Sequence, residues 1–132
     1  MMAAGTDAAA ALRAGKRFYN RGVKPEWWKL APMQENGWAA LQTLITQRDP
    51  YCRGAVILGL NQPIAHLAAS FRCATNPIVK GFMVGRTMWA DASLSWLKEE
   101  LDDAGLIQAV AHNFGVLVEA WRTRHLPALD RV

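Results

Sequence analysis

The feature that most constrains this chain is the uninterrupted apolar run Gly54-Ala-Val-Ile-Leu-Gly-Leu60. A run of strand length with no polar alternation marks a strand covered on both faces, the habit of parallel sheets. Parallel neighbours cannot be joined by a tight hairpin. They need a crossover of a dozen or more residues, usually a helix.

The flanking sequence supplies such crossovers. Trp27-Trp28-Lys29-Leu30 reads as a short strand between the breakers Pro25 and Pro32, and Ile78–Val84 reads as a third strand. Asp7–Asn20 reads as a helix with Asp7 as N-cap and Gly22 just past its end. Glu35–Arg48 carries Trp38, Leu41, Leu44 and Ile45 at helical period, and Asp49-Pro50 breaks it. Pro63 suits the first turn of a helix reaching about Thr75, with Ile64, Leu67, Ala68 and Phe71 on one face. Asp91–Leu101 reads as a helix with Leu94, Leu97 and Leu101 inward. A last helix, capped by Asp102-Asp103, runs to about His125 with Leu106, Ile107, Val110, Phe114, Leu117, Val118 and Trp121 on its apolar face. The order is α-β-α-β-α-β-α-α. The strand ends near Leu30, Leu60 and Gly85 recur at about the 30 residues of one βα unit, which selects the α/β class with right-handed parallel crossovers.

Several function classes fall away. The longest apolar runs are far short of the ~20 residues of a membrane span, and the Ala-rich start lacks the basic region of a signal peptide. We expect a cytoplasmic protein without membrane contact. Its cysteines, Cys52 and Cys73, lack metal spacing and read as reduced thiols. The net charge of +4 comes from scattered residues, among them Arg13, Lys16, Arg17 and Arg21 early and Arg122, Arg124 and Arg131 late. No recognition motif accompanies them, so nucleic acid is not an expected partner; so mild a basic excess suits an anionic small molecule or nothing in particular. No His, Cys, Asp or Glu cluster has ligand spacing. No metal or other cofactor is expected, and His66, His112 and His125 read as helix-surface residues.

In parallel α/β sheets ligands bind beyond the carboxyl ends of the strands. At the first end stands Lys29, either edge-exposed or buried among Trp27, Trp28 and Leu30. Burial disfavours an ammonium, and a neutral amine is the nucleophile for Schiff-base chemistry with a ketone. At the second end Gly59 allows close backbone approach, and Asn61 either contacts a ligand or caps the following helix. At the third, Gly85 exposes backbone N–H groups and Arg86 supplies a forked cation suited to phosphate.

Gly22-Val-Lys-Pro-Glu-Trp-Trp-Lys-Leu-Ala-Pro32, Arg48–Asn61, Val79-Lys-Gly-Phe-Met-Val-Gly-Arg-Thr-Met-Trp89 and the Ser95-Trp96-Leu97 helix together resemble a known family. It is the C-terminal aldolase-like domain, a domain of unknown function, fused to bacterial 5-dehydro-2-deoxygluconokinase of myo-inositol catabolism. That domain is similar to class I aldolases of the tagatose-bisphosphate type, which are (β/α)8 barrels. The resemblance implies Lys29 as the Schiff-base lysine. It also implies Gly59, Gly85 and Arg86 as a phosphate cradle, and retro-aldol cleavage of 2-deoxy-5-keto-gluconate 6-phosphate to dihydroxyacetone phosphate and malonate semialdehyde. Where the family continues Leu-Glu-Pro after the lysine, this chain has Ala31.

The expected architecture is therefore a partial TIM barrel. It comprises the last three βα units and a C-terminal helix over residues 17–132, preceded by a partly frayed Ala-rich helix over 1–16. The chain has about half of the roughly 250 residues of a typical barrel. The expected activity is that of an aldolase-like lyase acting on a phosphorylated sugar or sugar acid. The alternative is a non-catalytic remnant that binds a sugar phosphate or assembles with a complementary barrel piece. An open three-stranded sheet leaves exposed edges, so poor solubility alone or homo-oligomerisation is expected.

Overall fold

The computed structural model describes residues 4–127. The expected fraying ahead of Ala4 and the basic Arg131 lie outside the described residues. The elements are α1 (Ala4–Asn20), β1 (Trp27–Leu30), α2 (Glu35–Arg48), β2 (Gly54–Leu58), α3 (Ile64–Ser70), β3 (Val79–Met83), α4 (Arg86–Leu97) and α5 (Asp103–Arg122). The strands form one open sheet in the order β1-β2-β3, parallel throughout. The fold is α/β, as the apolar run and the helical crossovers require. Among the described residues no helix is long and apolar enough to cross a membrane.

The sheet is covered on one face. Trp28 and Leu30 of β1, Ala55 and Ile57 of β2, and Val79 and Phe82 of β3 join the core beneath the helices. Side chains alternate along a strand, so Trp27, Lys29, Val56, Leu58 and Met83 take the other face. None of these belongs to the helix-packed cluster; Trp27, Lys29 and Met83 are exposed, whereas Val56 on the central strand is buried at 6% exposure.

A bulge keeps β3 in this scheme. Ala55 pairs with Val79 but Val56 pairs with Gly81, leaving Lys80 as the extra residue. Val79 and Phe82 are three apart and would face opposite ways in a regular strand. The extra residue turns both into the core. The sheet is tight at its start: Gly54 has φ +132°, and a Cβ there would meet the Ile78 carbonyl oxygen at 2.6 Å.

The core centres on aromatic stacking. Phe71 is fully buried and stacks on Phe82 at 5.1 Å between centroids, while Trp121 meets both rings edge-on at 5.6 and 6.1 Å. One cluster thereby ties β3 to α5 and to the 3₁₀ turn Phe71–Cys73 that follows α3. Trp38 fills the α2 side of the core. Both cysteines are free thiols, and partial burial pushes the Cys52 thiol above its usual value.

Several local expectations are corrected. The first helix starts at Ala4, so Asp7 lies within it rather than capping it. The β2 strand stops at Leu58, because Leu60 and Asn61 adopt positive φ (53° and 57°), which no strand accommodates. The fourth helix starts at Arg86 rather than Asp91. Leu94 and Leu97, expected inward, are exposed, and α4 buries only Ala92, because it packs along α5 rather than on the sheet. On α5, Leu117 is fully buried whereas Ile107 is 67% exposed. The capping expectation holds there: the Asp102 carboxylate accepts the Gly105 N–H at 2.7 Å.

Phe71→Ala is expected to cost about 3–5 kcal/mol, the range for truncating a buried aromatic. Ile107→Ala is expected to stay within about 0.5 kcal/mol, as exposed sites do. Urea unfolding of the two variants checks both.

Candidate functional site

All three strands end on the same side of the sheet, because all are parallel. Beyond those ends lies a cleft of about 520 Å³. Lys29 lines it from β1, Gly59 and Asn61 from the turn after β2, and Gly85 and Arg86 from the start of α4. The five residues singled out from sequence thus meet at one place, although they span Lys29 to Arg86 in the chain. Leu58, Met83 and Trp89 supply apolar wall.

Lys29 takes the exposed alternative. It sits on the edge strand β1, on the face the helices leave open, paired in register with Val56. The apolar burial weighed for it goes instead to its neighbours Trp28 and Leu30, which turn into the core.

The turn after β2 is the most constrained backbone of the site. Leu60 and Asn61 both lie in the left-handed region, and the Gln62 N–H donates to the Gly59 carbonyl at 3.0 Å. A leucine in that region is uncommon and disfavoured, and this one is 57% exposed, so core packing does not hold it there. Asn61 does not cap α3, since Pro63 occupies the N-cap position. Gly59 is needed for space: a Cβ would lie 2.8 Å from Val84 Cγ1 and 2.9 Å from Thr87 Oγ1.

The other wall is the N-terminus of α4. The first N–H groups of a helix have no acceptor within it, and the helix dipole adds partial positive charge. Gly85 holds the N-cap position and has no side chain to satisfy them. Thr87 follows, its hydroxyl buried beside Gly59 without a hydrogen-bond partner among the described residues. Buried polar atoms without partners are rare in folded proteins. Thr87 was not singled out from sequence, although it completes the Gly-Arg-Thr run. The signal was available in its place one residue after the cation.

The charge of the cleft is one-signed. Among the described residues, Lys29 and Arg86 are its only ionisable lining residues, so none of them sets a carboxylate or imidazole in its walls. Asp91 lines a smaller adjoining hollow of about 280 Å³ that shares Asn61, Arg86 and Thr87 with the cleft. The three histidines are exposed and line no wall of the cleft: His66 is on α3 and His112 on α5, while His125, expected on the last helix, lies in the turn after α5 ends at Arg122. Among the described residues no group of three His, Cys, Asp or Glu could hold a metal ion. Two cations, a helix N-terminus and a partnerless hydroxyl around an open cleft make an anion-binding arrangement.

No curated protein and no solved structure matches the chain. One family does, over residues 2–125, a span that takes in every residue of the cleft. By that match the chain belongs to the DUF2090 family, described as an uncharacterized protein conserved in bacteria.

Proposed function

We propose that the cleft binds a phosphorylated keto sugar or keto sugar acid, with the phosphate at the α4 N-terminus and the carbonyl toward Lys29. The observation that carries this reading is the pairing of two chemistries in one cleft: the Gly85-Arg86-Thr87 helix start and a lysine from the edge strand. Backbone N–H groups and the Thr87 hydroxyl donate to phosphate oxygens, Arg86 offers its guanidinium fork, and Gly59 leaves room for the ligand.

The resemblance to class I aldolases extends the proposal to chemistry. The Lys29 amine adds to the ligand's ketone and water leaves, giving a protonated imine. That imine accepts the electron pair of the bond between the α and β carbons as it breaks, forming an enamine, while the β carbon's hydroxyl loses its proton and that carbon leaves as the aldehyde. Protonation of the enamine carbon and hydrolysis release the second product and restore the amine. For 2-deoxy-5-keto-gluconate 6-phosphate the products are dihydroxyacetone phosphate and malonate semialdehyde. The one-sided sheet supports a barrel segment as the scaffold, since in (β/α)8 barrels helices form an outer ring and ligands sit over the carboxyl ends of the strands.

A second reading, ligand binding without turnover, has its own support. Cleavage needs a base for the proton of the β hydroxyl, no described residue of the cleft walls carries a carboxylate, and Ala31 stands where the related sequences have glutamate.

Borohydride reduction in the presence of the keto sugar acid phosphate separates the readings. A covalent adduct that disappears in Lys29→Ala is expected, and its absence at saturating ligand removes the lysine from the mechanism. Arg86→Ala is expected to weaken a phosphorylated ligand by about tenfold or more, the scale of a lost charge-assisted hydrogen bond. The unphosphorylated analogue should be unaffected, and titration calorimetry with both ligands checks this. Gly59→Ala should also weaken phosphate binding, because its Cβ crowds the Thr87 hydroxyl.

A further inference from the structure

A larger hollow, about 680 Å³, lies away from the strand ends along α1. Arg13 and Arg17, one turn apart on one face of α1, line it together with Arg21, which lies just past the helix end and whose backbone N–H donates to the Arg17 carbonyl. Phe18 and Val23, both about half exposed, supply its apolar wall. Among the described residues the one ion pair joins Arg53 to Glu26, so none of the three arginines has an acidic partner. Like charges at this spacing disfavour the helix that carries them.

The complementary surface is on a different pair of helices. There α4 packs on α5, whereas α1 packs on α2. Asn113 Nδ2 donates to the Met88 carbonyl at 2.8 Å and Trp96 Nε1 donates to Asp103 at 2.8 Å, two rungs of an antiparallel helical hairpin. Its tip carries four acids, Glu99, Glu100, Asp102 and Asp103, against the single base Lys98. Leu97, 69% exposed, stands beside them. The tip turn is closed by the Glu100 N–H donating to the Ser95 carbonyl at 2.9 Å, with Glu99 at φ 59°. Glycine is the usual residue at such a helix end. A glutamate there bears a backbone cost, yet neither the Glu99 nor the Glu100 side chain has a partner among the described residues.

We propose that the α4–α5 tip of one copy docks in the α1 groove of a second copy. Glu99 and Glu100 meet the arginine row, and Leu97 meets Phe18 and Val23. The dimensions agree: Arg13 to Arg21 spans about 12 Å along a helix, and the two helices of a hairpin lie about 8–10 Å apart. An anionic lipid surface would attract α1 but repel the tip, whereas a second copy satisfies both. The two surfaces differ, so the contact is either reciprocal across a two-fold axis or propagates head to tail.

Sedimentation of the ligand-free chain over a range of concentrations tests this independently of the cleft. Self-association that weakens with added salt is expected. The pair Glu99→Lys and Glu100→Lys, and separately Arg13→Glu and Arg17→Glu, should each weaken it about tenfold or more, because like charges then face one another. Mixing the two variants should restore association, since each then meets opposite charge on the other. A chain that stays monomeric, an association indifferent to the swaps, or a mixture that fails to recover overturns the proposal. Should a swapped variant not fold, an association of the unaltered chain that ignores salt overturns it as well.

Discussion

The structure depends on the covering of one face of a small parallel sheet. Three strands of four or five residues bury little by themselves. They become a core only because Ile57, Val79 and Phe82 turn toward Trp38, Phe71, Leu117 and Trp121. The Phe71–Phe82–Trp121 cluster does most of this joining, since it draws residues from three elements far apart in sequence. The bulge at Lys80 serves the same end by turning Phe82 inward. Everything proposed for the cleft rests on that choice of face, because the side chains not claimed by the core are the ones available to a ligand.

The site follows from the same geometry. Parallel strands deliver their carboxyl ends to one side, so residues separated in the chain meet without any long-range sequence signal. Lys29 is available because it alternates out of step with Trp28 and Leu30. The helix after β3 starts at once, at Arg86, which puts its unpaired N–H groups beside Gly59 and Thr87. The described walls of the cleft therefore combine two cations, a helix N-terminus and apolar side chains.

Much of this was legible in the sequence. The apolar run at Gly54–Leu58 and the breakers Pro32, Asp49-Pro50 and Asn76-Pro77 mark the elements, and the strand-end rule picks out Lys29, Gly59, Asn61, Gly85 and Arg86. What escaped has identifiable causes. Leucine spacing along residues 91–101 reads as an inward face, but α4 has only α5 to pack on, and tertiary context decides which face is inward. A bulge leaves no mark on a short apolar strand, so the rotation at Lys80 is invisible before pairing is known. The left-handed backbone at Leu60-Asn61 and the partnerless Thr87 hydroxyl are products of close approach between two strand ends, and propensity says nothing of that. The acidic hairpin tip was read only as a helix cap, which it also is at Asp102.

The absence of any hairpin between strands bears on how the chain assembles during synthesis. Trp27–Leu30 has no pairing partner until Gly54–Leu58 has been made, and Phe82 has only Phe71 to stack on until Phe114 and Trp121 follow. Contacts of such wide sequence separation form slowly, and they leave apolar strand surface uncovered meanwhile. On the ribosome the aromatic cluster can close only when the last long helix emerges, so the nascent chain must carry Val79–Met83 only partly covered through nearly forty residues of further elongation, about two to eight seconds at ordinary bacterial speeds.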